Sequence, residues 1–227
     1  MCIRDSLYAV VFNRTTETDL TEDQLPQVDI YKYKQVIFVG DSRTEFMENV
    51  LTGMGESATK NVKFVCSAGK GLDWFTTTGW AQLYSIVQHD SNSILSKKTA
   101  VIFNFGVNDL SKSADYAEYY NWIAPQLKSK GCELYFMSVN PVNRLMLPNA
   151  GRADRSEAAV RSFNQYMKAN LSSAYTYIDM YSYLKSTGYS FASDHYGTGT
   201  VDDGLHYTTR TYKRIFAKCM DSLRVPA

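Results

Sequence analysis

From residue 35 onward, apolar and polar positions fall into an alternating pattern. Apolar strand candidates at 36–39, 62–66, 100–104, 133–139 and 176–179 are short and bounded by Gly, Asn or Asp. Parallel strands buried on both faces read this way. Between the runs lie stretches with helical spacing. Residues 43–54 follow the first run and 80–96 the second. Residues 113–129 carry Tyr116, Tyr120, Ile123 and Leu127 as a stripe, with Pro125 expected to bend the last turn. Residues 155–171 begin after Asp154, with Glu157 three on, a variant of the capping box. A last helix from about Thr208 places Tyr212, Ile215, Phe216, Cys219 and Leu223 on one face, with Lys213, Arg214 and Lys218 on the other. Five strands alternating with helices predict an α/β protein, a three-layer α/β/α sandwich around a five-stranded parallel sheet with right-handed crossovers. Ligands bind such sheets beyond the carboxyl ends of the strands. The informative residues are therefore those just after each strand.

The segment upstream breaks the pattern. Residues 13–34 are polar and charged without a period and read as a linker or loosely attached arm, so the expected division is an arm at 1–34 and one domain at 35–227. The opening MCIRDS resembles the translation of a transposon-end sequencing adapter. On that reading about the first six residues are not native, the natural N-terminus is missing, and the lack of a leader carries no information. The following LYAVVF is either the tail of a lost signal or anchor segment, or a short disordered or edge segment. Extracellular, membrane-anchored and cytoplasmic locations all stay open.

Composition narrows the function classes. The chain has 227 residues, 44% of them apolar, with a net charge of +1. It is long enough for one large domain with a sizeable core. The charge balance argues against disorder and against a nucleic-acid partner, which would call for a basic surplus or stripe. No apolar run approaches the ~20 residues of a spanning helix. Cys2, Cys66, Cys132 and Cys219 have neither metal spacing nor the look of a disulfide framework. Cys66 and Cys132 read as small buried hydrophobes.

The strand ends carry the candidate chemistry. Gly40-Asp41-Ser42-Arg43 follows the first, Ser67-Ala68-Gly69-Lys70-Gly71 the second, Phe105-Gly106-Val107-Asn108-Asp109 the third and Asn140-Pro141-Val142-Asn143 the fourth. Asp202-Asp203-Gly204-Leu205-His206 precedes the final helix. Ser42 reads either as a nucleophile at a helix start, where amides and dipole favour negative charge, or as a helix cap alongside Asp41. A phosphate loop is a poor reading, because the turn lacks both glycine-rich phosphate patterns.

A serine nucleophile needs a base, and the chain has three histidines. His89 falls inside a helical stretch. His195 sits in a long Gly/Ser/Asp-rich loop, where the adjacent Asp194 is poorly placed to orient it. His206 follows Asp203 by three, a spacing that lets a carboxylate hold Nδ1–H and leave Nε2 free to accept the Ser42 proton. Taken alone, Asp-x-x-His is also an ordinary surface-loop pattern. Donors for an oxyanion are available in the amides of Ser42 and Gly71 and the side chain of Asn108, each of which has an ordinary turn or cap reading of its own.

Taken in order, Gly40-Asp41-Ser42, Gly71 in SAGKGLDW, GVND at 106–109 and DGLH at 203–206 resemble the SGNH hydrolase superfamily, the GDSL-like esterases and lipases. The resemblance spans residues 35 to about 223. It implies a flavodoxin-like sandwich, a Ser42–His206–Asp203 triad, and an oxyanion hole from the Ser42 and Gly71 amides and the Asn108 side chain, with no metal or cofactor. Two features depart from the pattern. Arg43 stands where the name-giving motif has Leu, pointing toward an acidic group of the substrate or into solvent. Cys66 and Ser67 stand where Asn is common, which leaves Gly69 a rival to Gly71. The expected substrate is a small-molecule or carbohydrate ester with a small acyl group, such as an O-acetyl sugar. Lipase, lysophospholipase or thioesterase activity, an acyltransferase, and a silent binding domain are the alternatives. Trp74, Phe75, Tyr196 and Tyr207 could stack on a sugar or line an acyl pocket; Arg43, Asp109 and Asn140 are further candidates for its wall. Oligomeric state is left open.

Overall fold

The computed structural model describes residues 19–90, 97–147, 155–193, 197–198 and 201–224. Five parallel strands form one sheet: β1 (Tyr33–Gly40), β2 (Val62–Cys66), β3 (Lys98–Asn104), β4 (Cys132–Met137) and β5 (Tyr175–Ile178), in the order β2-β1-β3-β4-β5. Each matches a predicted run to within a few residues. The helices are α1 (Ser42–Met54), α2 (Leu72–Trp74), α3 (Trp80–Asp90), α4 (Ser113–Lys128), α5 (Glu157–Asn170), α6 (Met180–Thr187) and α7 (Thr209–Ser222). They cover both faces. One apolar cluster joins Val39, Val101 and Phe103 to Phe75, Leu83, Tyr120 and Phe163, and the other joins Phe38, Ala100 and Ile102 to Phe46, Leu51, Ile215 and Phe216. Successive residues of the central strands β1 and β3 thus feed opposite layers, which is why Val36–Val39 and Ala100–Phe103 read as unbroken apolar runs.

This strand order reverses between β1 and β3, where a ligand crevice opens in doubly wound sheets. Register fixes what meets there. Gly40 pairs with Cys66 on one side and Asn104 on the other, so the chain leaves β1, β2 and β3 at one level. Gly40 has no alternative: a Cβ would lie 2.0 Å from Thr44 Oγ1 and 2.8 Å from the Asn104 carbonyl oxygen.

Several expectations are corrected. The second helical stretch begins at Trp80 as expected, but α2 and a π-helical turn, Phe75–Gly79, lead into it and were not foreseen. Residues 91–96 lie outside the described residues. Helix α4, with Pro125 inside its last turn, matches the expected stretch to within a residue. Ser156 caps α5 by accepting from the Ala159 amide, and Asp154 lies outside the described residues. Helix α6 was not foreseen. Lys213 and Arg214 do not face solvent: Lys213 pairs with Asp19 at 3.0 Å, and Arg214 donates to the carbonyls of Gly188 and Thr187. The described part of the upstream arm is packed, with Leu25, Val28 and Tyr33 buried in the second cluster. Residues 1–18, including the adapter-like start and LYAVVF, lie outside the described residues.

Candidate active site

Ser42 is the first residue of α1, and Asp41 caps that helix by accepting from the Arg43 amide at 3.0 Å. The cap and the tight turn at Gly40 aim the Ser42 side chain across the strand ends. His206 arrives on the loop before α7, held from several sides. The His206 carbonyl accepts from the Ala192 amide, Tyr207 bridges to Phe191, and the Tyr207 hydroxyl donates to the Pro141 carbonyl. Its imidazole stacks on Phe46 at 4.3 Å.

The three residues form one hydrogen-bonded run. His206 Nδ1 lies 2.6 Å from Asp203 Oδ2, and Nε2 lies 2.8 Å from Ser42 Oγ. Asp203 Oδ1 accepts from the Leu205 amide at 2.9 Å and the His206 amide at 2.8 Å. Burial pushes the Asp203 carboxyl up, but the hydrogen bonds from the His206 ring and from the two amides outweigh it and hold it below the ordinary carboxylate value. An ionised Asp203 acts only as an acceptor, so Nδ1 carries the ring proton and Nε2 is left to accept from Ser42.

Ser42 and His206 open onto a cavity of about 310 Å³, whose wall also includes Phe46, Gly69, Asn108 and Arg155. Asn108 Nδ2 donates to the Lys70 carbonyl at 2.7 Å, and its Oδ1 accepts from Arg155 Nη2 at 2.8 Å. Gly71 does not line this wall. A Cβ there would lie 2.3 Å from Asp109 Oδ2, so the close approach that demands glycine is to the Asp109 side chain. Asp109 in turn accepts from the Leu72 amide and the Tyr116 hydroxyl, and burial keeps its carboxyl above the usual range despite them.

The remaining candidates divide. Arg43 points neither to solvent nor into the cavity. It is buried, with Nε on the Leu205 carbonyl, Nη1 on Asn140 and Nη2 on Pro141, and its guanidinium lies 5.1 Å from the Tyr207 ring centre. Phe75 and Tyr207 are core residues, and Asn140 is buried with its side-chain amide lacking a partner among the described residues. Trp74 is half-buried against Phe105. Asp194, His195 and Tyr196 lie outside the described residues. Among the described residues no group of three His, Cys, Asp or Glu side chains is arranged to hold a metal. Arg155 was missed, because it precedes a helix cap and nothing in its neighbourhood marks it as special.

The sequence profile of the GDSL-like lipase/acylhydrolases matches residues 36–219. The chain belongs to that family. Membership supports ester hydrolysis as the activity, and the parallel sheet with helices on both sides is the family's fold. Solved structures resemble it at low identity. A Slackia heliotrinireducens protein assigned as an SGNH hydrolase has a TM-score of 0.59 and 13% identity over 85% of this chain and 100% of that one. An acetyl xylan esterase, AlAXEase, gives 0.53 and 14% over 84% and 100%. TesA gives 0.51 and 14% over 84% and 98%. At these identities the likeness is one of fold. No curated protein matches the chain.

Proposed function

We propose that the domain at 35–227 is a serine esterase that cleaves small-acyl carboxylic esters through Ser42, His206 and Asp203. The observation that carries this is the hydrogen-bonded run from Asp203 through both imidazole nitrogens to Ser42 Oγ, open to a cavity at the sheet's crevice. Ser42 Oγ attacks the ester carbonyl while Nε2 takes its proton. Asp203 stabilises the imidazolium that results. The tetrahedral oxyanion is received by the Ser42 amide, by the second hydrogen of Asn108 Nδ2, and by a glycine amide of the 67–71 turn. Each donor is worth ~3 kcal/mol of barrier. The motif resemblance favours Gly71 for the third donor; the cavity wall favours Gly69. His206 returns the proton to the leaving alkoxide, then removes one from water, whose oxygen attacks the acyl-serine. Collapse releases the acid and returns the proton to Ser42.

The cavity, about 310 Å³, is at the small end of the range for small-molecule sites, which suits an acetyl or similarly short acyl group better than a lipid chain. A carbohydrate hydroxyl is the alcohol side we favour, in keeping with the name of the acetyl xylan esterase that shares the fold. The test is an ester panel graded by acyl length, including acetylated sugars and acyl thioesters, with Ser42→Ala as control. Rates falling steeply beyond four or so acyl carbons support this reading; a preference for long chains or thioesters would overturn the substrate assignment while leaving the nucleophile intact.

A further inference from the structure

The Asn108 side chain serves the oxyanion only if its NH₂, and not its oxygen, faces the reacting carbonyl. An amide is nearly symmetric in shape, so its neighbours must impose that choice. Two do. The Lys70 carbonyl can only accept, and it takes one Nδ2 hydrogen at 2.7 Å. The Arg155 guanidinium can only donate, and its Nη2 holds Oδ1 at 2.8 Å. Arg155 also donates from Nε to the Val107 carbonyl at 2.7 Å, so one planar cation grips both the side chain of Asn108 and the residue before it. Asn108, Arg155, Ser42 and His206 share the wall of one cavity. A cation on the carbonyl end of an amide also polarises its N–H groups toward stronger donation.

We propose that Arg155 is a positioning residue of the oxyanion hole. It fixes the orientation of the Asn108 amide and leaves the second Nδ2 hydrogen for the oxyanion. This rests on the esterase reading above. The consequence is a dependence that a structural contact would not show: the effect of Arg155 on kcat runs through Asn108.

The experiment is a double-mutant cycle on purified full-length protein with p-nitrophenyl acetate. Asn108→Ala is expected to lower kcat by ~100-fold. Arg155→Met is expected to lower kcat by ~10-fold with KM within about twofold, and Arg155→Lys, which keeps a cation, to recover part of that loss. In the Asn108→Ala background, Arg155→Met should cost less than about twofold more. Equal losses in both backgrounds, or an unchanged kcat in Arg155→Met, overturn the proposal. If Arg155→Met does not fold, the same comparison with Arg155→Lys decides it. Ser42→Ala separates the two readings: full activity there removes the esterase mechanism, whereas an inactive Ser42→Ala with an additive cycle removes only the role of Arg155.

Discussion

Arg43, next to the nucleophile, carries a cation into the interior and donates to three backbone carbonyls, those of Leu205, Asn140 and Pro141, at 2.8–3.0 Å. Leu205 and Pro141 lie on different loops, and Leu205 is adjacent to His206, so Arg43 ties the histidine loop to the exit of β4. Consider Arg43→Leu, which supplies the residue of the name-giving motif. The Pro141 carbonyl keeps the Tyr207 hydroxyl. The Leu205 and Asn140 carbonyls lose the guanidinium, at about 1–3 kcal/mol each for a buried acceptor left unpaired. That gross cost of about 2–6 kcal/mol is offset in part, because leucine removes a desolvated charge that is buried against backbone carbonyls. We expect a net loss of about 2–4 kcal/mol. Urea unfolding followed by circular dichroism measures it, as a lower midpoint at unchanged slope. Arg43→Lys should recover little, since an ammonium cannot span three divergent carbonyls. A loss below about 1 kcal/mol in Arg43→Leu would refute the reasoning, because the carbonyls would then have other partners.

Further expectations concern the same turns. Burial, opposed by the Arg43 amide and charge, raises the Asp41 carboxyl from 3.8 to about 6. Between those values the folded protein holds a proton that the unfolded chain has released. Stability therefore falls as pH rises through about 4 to 6, by up to about 3 kcal/mol, and the penalty stays constant above that window. Asp41→Asn, which can still accept from the Arg43 amide, should flatten this dependence in chemical denaturation measured from pH 4 to 7. Gly71→Ala drives a Cβ to 2.3 Å from Asp109 Oδ2 and should cost about 1–3 kcal/mol in thermal unfolding. Gly69→Ala meets no atom within 4 Å but adopts φ +71°, and should cost only about 1 kcal/mol. Asp203→Ala should lower kcat by ~10³–10⁴, less than loss of Ser42 or His206, because its orienting role is partly replaceable.

The centre of the sheet was legible because β1 and β3, buried on both faces, have no polar alternation to obscure them, and the strand ends because Gly40, Asn104 and Asp179 mark where strands stop. The residues that gather at the crevice were legible by type, since Ser42, Asn108, Asp203 and His206 all fall at element ends. What escaped depends on contacts between distant segments. Lys213 and Arg214 lie opposite the apolar face of α7 but are covered by Asp19 and the 187–188 turn, which sequence spacing cannot anticipate. Helix α6 follows β5 directly through its Asp179 cap and buries Met180 and Leu184, too short an apolar pattern to register as a helix. Arg43 and Arg155 each carry a charge into the protein onto carbonyl oxygens supplied by other loops. Nothing in the local sequence distinguishes them from solvated arginines.

The central claim is that Ser42 is the nucleophile, and covalent labelling with a fluorophosphonate probe tests it most directly. Intact mass and peptide mapping should show a single adduct on Ser42, lost in Ser42→Ala, with hydrolysis of p-nitrophenyl acetate falling in step with labelling. Labelling at another residue, or full hydrolysis by purified Ser42→Ala, would contradict the account.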